Sequence, residues 1–273
     1  MKRLIKQLMM ISVLFFVFVS SASAESYPNR PIHWGFKKAS EGRQAEAGQE
    51  WDELLKKHEA YYKGDPTQMD IYLTFDNGYE NGYTAQILDI LKKEKVPATF
   101  FVTGHYLESA SGLVKRMVKE GHIVGNHSWH HPDLSQVSDE RFKEELEKVK
   151  EKTEELTGVK KMHYLRPPRG IFSERTMALA NEEGYTHVFW SLAFKDWLTD
   201  QQKGAQYSYD NIMNQIHPGA IILLHTVSKD NADALESVIK DLKKQGYKFK
   251  SLDDLTNKNH QEKKQQKKKK KKK

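Results

Sequence analysis

Cysteine is absent from all 273 residues, so the chain builds no disulfide framework, no nucleophilic thiol and no zinc–thiolate centre. Glycine, serine and proline form no long runs, which argues against several small domains and for one large domain with appendages. An apolar run long enough for an ordinary bilayer span, about 20 residues, is missing as well. The run Leu8–Val19 follows Lys2, Arg3 and Lys6 and leads into Ser-Ala-Ser-Ala24. That layout is a secretory signal peptide over residues 1–24, with an uncleaved anchor as the other reading. The mature chain is then expected to begin near Glu25 and to be secreted.

A basic body is also missing, despite a formal net charge of +7. Residues 25–257 carry 31 Lys and Arg against 36 Asp and Glu, whereas residues 258–273 hold ten lysines and a single acid, Glu262. A block of like charges repels itself and stays solvated. Residues 258–273 are therefore expected to be a disordered arm, either touching an anionic wall polymer or anionic lipid, or serving no role as a low-complexity end. An exported, acidic body does not suit nucleic acid, and no feature points to a protein partner.

What is present, from Met69 onward, is an alternation of short β-rich runs with amphipathic helical stretches. Parallel strands with helical crossovers require this pattern. Strands are expected at 69–76, 98–104, 122–126, 163–166, 186–192, 220–225 and 247–250. Helices are expected around 113–120, 173–183, 209–216 and 233–245, with another carrying Tyr83, Ile87, Ile90 and Leu91 on one face. Ser138 before Asp139 and Glu140, the stripe Phe142, Leu146, Val149 and Leu156, and the stop at Gly158 define the clearest helix. Seven parallel strands over residues 69–257 predict an irregular, closed (β/α) barrel. No G-x-G-x-x-G follows the first strand, so a dinucleotide fold is disfavoured. Residues 25–68 are too aromatic for a linker and are expected to pack on the outside of the barrel.

Such a barrel presents its chemistry at the C-terminal ends of its strands. Those ends are polar: Asp76-Asn77-Gly78, His127 and His131, Arg166-Pro-Pro-Arg169-Gly170, Asp196-Trp197, and His225. His127-x-x-x-His131 suits a metal, with an oxygen from the Asp76-Asn77 end as third ligand; equally, the pair reads as capping or surface histidines. A buried Asp76 needs a cation or donors close by, and Arg166 suits that role, whereas a mere turn cap does not require it. His225 follows the apolar Ala-Ile-Ile-Leu-Leu and reads as a core histidine unless Asp196 reaches its ring, in which case it becomes a proton donor near neutrality. Trp197 is either a flat wall for a sugar ring or core filler.

The strings Thr74-Phe-Asp-Asn-Gly78, His127-Ser-x-x-His131-Pro, Arg166-Pro-Pro-Arg-Gly170, Asp196-Trp197 and Leu223-Leu-His225 occur in order, and together they resemble the five motifs of the polysaccharide deacetylases. This is the NodB-type domain, also called carbohydrate esterase family 4, and the resemblance spans residues 69–255. Asn77, with the following Gly-Tyr-Glu and the Trp34-Gly-Phe-Lys extension, resembles the PdaA-type, muramic δ-lactam-forming subgroup of spore-forming bacteria. The resemblance implies metal-assisted de-N-acetylation of N-acetylmuramic acid in peptidoglycan. It implies Asp76 as general base oriented by Arg166, and His225 as general acid tuned by Asp196. It further implies His127 and His131 as metal ligands and Leu223 as lining for the acetyl methyl.

Two positions depart from the family. Asn77 stands where most members have a second Asp as third ligand, so the divalent metal, zinc by the resemblance, is expected to be weakly held. Arg169 replaces a common aromatic residue and suits the lactyl carboxylate of muramic acid, with a surface arginine as the plain alternative. Other substrates with N- or O-acetyl groups (glucosamine, chitooligosaccharide, acetylated xylan) and an inactive wall-binding protein are the competing functions.

Overall fold

The computed structural model describes residues 27–40 and 42–257; the expected signal peptide and Lys-rich tail lie outside the described residues. The N-terminal segment holds β1 (Ile32–His33) and α1 (Gln49–Lys57). The sheet then opens with β2 (Asp70–Asn77), α2 (Thr84–Glu94), β3 (Ala98–Val102), α3 (Gly104–Ser109), α4 (Ser111–Lys119) and β4 (Ile123–Asn126). It continues with α5 (Asp139–Thr157), β5 (Tyr164–Leu165), β6 (Ile171–Phe172), α6 (Glu174–Glu182), β7 (Thr186–His187), α7 (Ala205–Met213), β8 (Ile221–His225), α8 (Lys229–Lys244) and β9 (Lys248–Lys250).

Seven strands form one parallel sheet in the order β7-β5-β4-β3-β2-β8, with β9 paired to β2. The sheet curls into a half-barrel with helices around it. All eight residues of β2 are buried, as expected for a central parallel strand covered on both faces. Its alternation sorts two cores. Ile71, Leu73 and Phe75 pack toward the helices, where Phe75 stacks on Phe100 at 5.0 Å; Tyr72 joins Phe101, Tyr164, Val188 and Ile221 inside the curl.

The expected closed barrel is corrected to an incomplete one. The strand expected over 186–192 pairs regularly with β5 for two residues, and its edge reaches β8 through a parallel bridge from Leu192 to Ile222. The physical reason is local: Pro167 has no N–H with which to continue the ladder from β5, Val188 pairs instead with Tyr61 of the N-terminal segment, and the carbonyls of Val188 and Phe189 accept from the Arg166 guanidinium at 3.1 and 3.3 Å. A second correction concerns 98–104. β3 stops at Val102 because the Thr103 side chain accepts from Tyr106 N and starts α3, a helix the periodicity does not announce. Helix α8 likewise starts earlier than 233, capped by Ser228.

Helix α5 is capped by Ser138, ends at left-handed Gly158, and buries Phe142, Glu145, Leu146 and Val149. The N-terminal segment lies against the sheet through Leu55, Tyr62, Phe172, Met177 and Phe189, and β1 pairs antiparallel with β6.

Candidate active site

Parallel register places Asp76 of β2 directly beside His225 of β8, and paired residues of neighbouring strands project to the same face. Asp76 is buried, and Arg166, at the end of β5 and with no exposed surface, donates from Nη1 to Asp76 Oδ1 at 2.8 Å. The guanidinium also lies 4.2 Å from the Phe101 ring, so packing fixes its plane. Burial by itself favours the neutral acid at Asp76. The Arg166 charge, with contributions from His127 and His225, outweighs it and holds the carboxyl below its ordinary range. Asp76 is therefore an ionised carboxylate in a nearly dry site.

His127 follows β4, and its backbone N–H donates to Val102 O, continuing the ladder. Its Nδ1 lies 2.8 Å from the Arg166 carbonyl, an acceptor that fixes the proton on Nδ1 and leaves Nε2, 3.5 Å from Asp76 Oδ2, as the lone-pair nitrogen. The His131 ring lies 4.8 Å from that of His127 at 71°. The pair stands on a loop rather than a helix, and two of its residues, Ser128 (φ 63°) and His131 (φ 58°), are left-handed. Such a loop persists only where its surroundings hold it. Ser128 Oγ accepts from His131 N at 3.0 Å, and the fully buried Glu145 accepts from His130 N at 2.7 Å and contacts His130 Nδ1 at 2.8 Å. Burial lowers both imidazoles, His131 to about 4, so both are neutral at neutral pH.

His225 ends β8. Its Nδ1 lies 2.7 Å from Asp196 Oδ1, and its backbone N–H donates to Asp196 Oδ2 at 2.8 Å. Asn231, in the first turn of α8, donates to the same carboxylate at 2.6 Å. Burial opposes a charged ring here, but the Asp196 carboxylate, by charge and hydrogen bond, together with Asp76, raises His225 above the usual histidine range.

These groups open into a cavity of about 1130 Å³ lined by Asp76, His127, His131, Arg169, Trp197, Leu223 and His225. Trp197 is half exposed, with its ring 5.5 Å from that of His225, so it is a wall and not core filler. Arg169 is close enough for its charge to act on His131.

Residues 63–188 match the polysaccharide deacetylase family model. The chain is 53% identical, over 86% of its length and 89% of the relative's, to the peptidoglycan-N-acetylmuramic acid deacetylase PdaA of Bacillus subtilis. The chain belongs to the polysaccharide deacetylase family. An uncharacterized 30.6 kDa protein of Geobacillus stearothermophilus is 65% identical over 89% of the chain and 91% of that protein. The solved structure of Bacillus subtilis PdaA, a family 4 carbohydrate esterase, superposes with a TM-score of 0.84 at 52% identity, over 85% of this chain and 99% of that one. The chain is thus a carbohydrate de-N-acetylase, a hydrolase of the peptidoglycan deacetylase kind.

Polysaccharide deacetylases are generally metal-dependent, and the donors present suit a divalent ion. Among the described residues no three His, Asp or Glu side chains converge as a ligand set. The third donor expected from the sequence is Asn77, through its neutral amide oxygen. Strand alternation turns it away from Asp76, its Nδ2 donates to Thr226 Oγ1 at 2.8 Å, and its buried Oδ1 has no hydrogen-bond partner.

Sequence reasoning passed over several members of the site. Tyr79, His105, Glu108, Trp129 and Trp190 line the same cavity but come from loops and α3, where no period marks them. Glu145 does carry a signal: a carboxylate three residues after Phe142 and one before Leu146 lies within an apolar stripe.

Proposed function

We propose that this polysaccharide deacetylase removes the N-acetyl group from N-acetylmuramic acid in peptidoglycan strands, freeing the amine from which a muramic δ-lactam of spore cortex is closed. The observation that carries the muramic reading is Arg169 on the wall of the cavity that His131 and Asp76 also line. Its planar, bidentate donors suit the lactyl carboxylate that distinguishes muramic acid from glucosamine. The relative named as a peptidoglycan-N-acetylmuramic acid deacetylase supports the same substrate.

The residues divide the work by charge. Asp76, held ionised by Arg166, takes a proton from the attacking water as its oxygen adds to the acetyl carbonyl carbon. His225, whose hold on a proton Asp196 strengthens, gives its proton to the sugar nitrogen as the C–N bond breaks, so the products are acetate and a free amine. Leu223 receives the acetyl methyl, and Trp197 supports the sugar ring. His127, His131 and Asn77 Oδ1 would hold a divalent metal, zinc in this reading, which would supply Lewis acidity at the site. Residues 1–24 export the chain to the wall, and the Lys-rich arm of 258–273 contacts anionic polymer there.

Incubating the mature protein with peptide-free glycan strands, with and without chelator, and following acetyl loss by mass spectrometry tests the reading. Loss on muramic units that chelator suppresses is expected. Loss confined to glucosamine units refutes the muramic assignment.

A further inference from the structure

Trp34 is not among the residues that line the cavity, yet it is fastened to the loop that presents Arg169. That loop closes on two successive left-handed residues, Arg169 (φ 58°, ψ 11°) and Gly170 (φ 67°). A long side chain is disfavoured in this conformation and keeps it only under external constraint. Trp34 supplies the constraint. Its backbone N–H donates to Gly170 O at 2.9 Å, its Nε1–H donates to Trp190 O at 3.0 Å, and its ring stacks on Phe189 at 4.6 Å. A Cβ on Gly170 would lie 3.0 Å from Trp34 Cβ and 2.9 Å from the Trp190 ring, so the turn is wedged between two tryptophans. The strands on either side are locked as well, with Ile32 paired to Phe172 and His33 to Ile171.

We propose that Trp34 is a positioning residue for Arg169, and that through it the N-terminal segment sets the discrimination between muramic and glucosamine units. The proposal rests on the reading of Arg169 as partner of the lactyl carboxylate. An arginine on a free loop gains little from a carboxylate because ordering it cancels much of the attraction; one whose backbone is already locked binds without that cost. The N-terminal segment thus acts on specificity without touching the reacting atoms.

The test compares kcat/KM on three peptide-free substrates: a muramic-containing strand, the same strand with its lactyl carboxylates amidated, and a chitooligosaccharide. Arg169→Ala is expected to lower the preference for the free carboxylate by roughly ten- to a hundredfold, the range for one charge-assisted contact. Trp34→Ala is expected to lower the same preference by about tenfold, chiefly through KM, while the double variant falls no further than Arg169→Ala alone. Trp34→Phe keeps the stacked ring but loses the Nε1–H bond, and a smaller drop in the same preference is expected. If Arg169→Ala shifts the preference while the Trp34 variants lower activity on all three substrates alike, or leave the preference untouched, Trp34 serves stability only and the proposal is overturned. If Arg169→Ala itself changes nothing, the reading of Arg169 falls and takes the proposal with it. Should Trp34→Ala not fold, Trp34→Phe decides alone: an unchanged preference overturns the proposal.

Discussion

At the scale of single residues, the site is governed by how burial and neighbouring charge compete. Burial pulls Asp76 toward its neutral form and the Arg166 charge pulls it back, and Arg166 would be an unpaired buried charge without Asp76. Asp76→Asn is therefore expected to lower kcat by roughly 10²- to 10⁴-fold through loss of the base. It is also expected to cost about 3–5 kcal/mol, because a guanidinium is left buried and uncompensated. Denaturant titration beside the activity assay checks both; full stability in the variant contradicts the pairing. At His225 the Asp196 carboxylate overcomes burial and raises the ring above its usual range. The proton to be donated is present below that raised value and lost as the pH climbs through it. Asp196→Asn removes the raising charge, so the alkaline limb of the kcat/KM profile is expected to move to lower pH. A limb that stays in place excludes His225 as the group it reports.

At the scale of elements, the histidine loop depends on α5. Glu145 reaches from a helix face that otherwise packs apolar side chains to hold the His130 backbone, and so the two left-handed residues around it. Glu145→Ala is expected to weaken zinc binding about 10- to 100-fold, the usual effect of removing a support behind metal ligands. Calorimetric titration of the metal-free protein measures it, and unchanged affinity together with a lower melting temperature makes Glu145 a purely structural residue. Ser138→Ala, which removes the α5 cap, is expected to cost about 1 kcal/mol and to leave metal affinity alone. The contrast separates loosening the helix from loosening the loop. Much of α5 is legible in the sequence, since cap, stripe and stop are local. The partner of Glu145 is not, because His130 lies in a loop 15 residues earlier with no period to place it.

At the scale of the whole molecule, the sheet brings together side chains that the chain keeps far apart, and in the proposed ligand set a neutral Asn77 stands where a carboxylate would hold a cation more firmly. Asn77→Asp is expected to tighten zinc binding, because a charged oxygen replaces a neutral one. Equally tight binding in both forms, measured by titration of the metal-free proteins, removes Asn77 from the ligand set.

The sequence by itself determined the βα alternation, the acidic body, and which polar residues stand at strand ends, because period, turn chemistry and charge are properties of neighbouring residues. Only the tertiary structure decided who partners whom. Arg166 reaches Asp76 across 90 positions and also donates to the carbonyls of Val188 and Phe189. Asn77 faces away from Asp76, and Trp34 meets the loop of Arg169. These are contacts between segments distant in the chain, and their geometry follows from how the sheet curls, which no local pattern records.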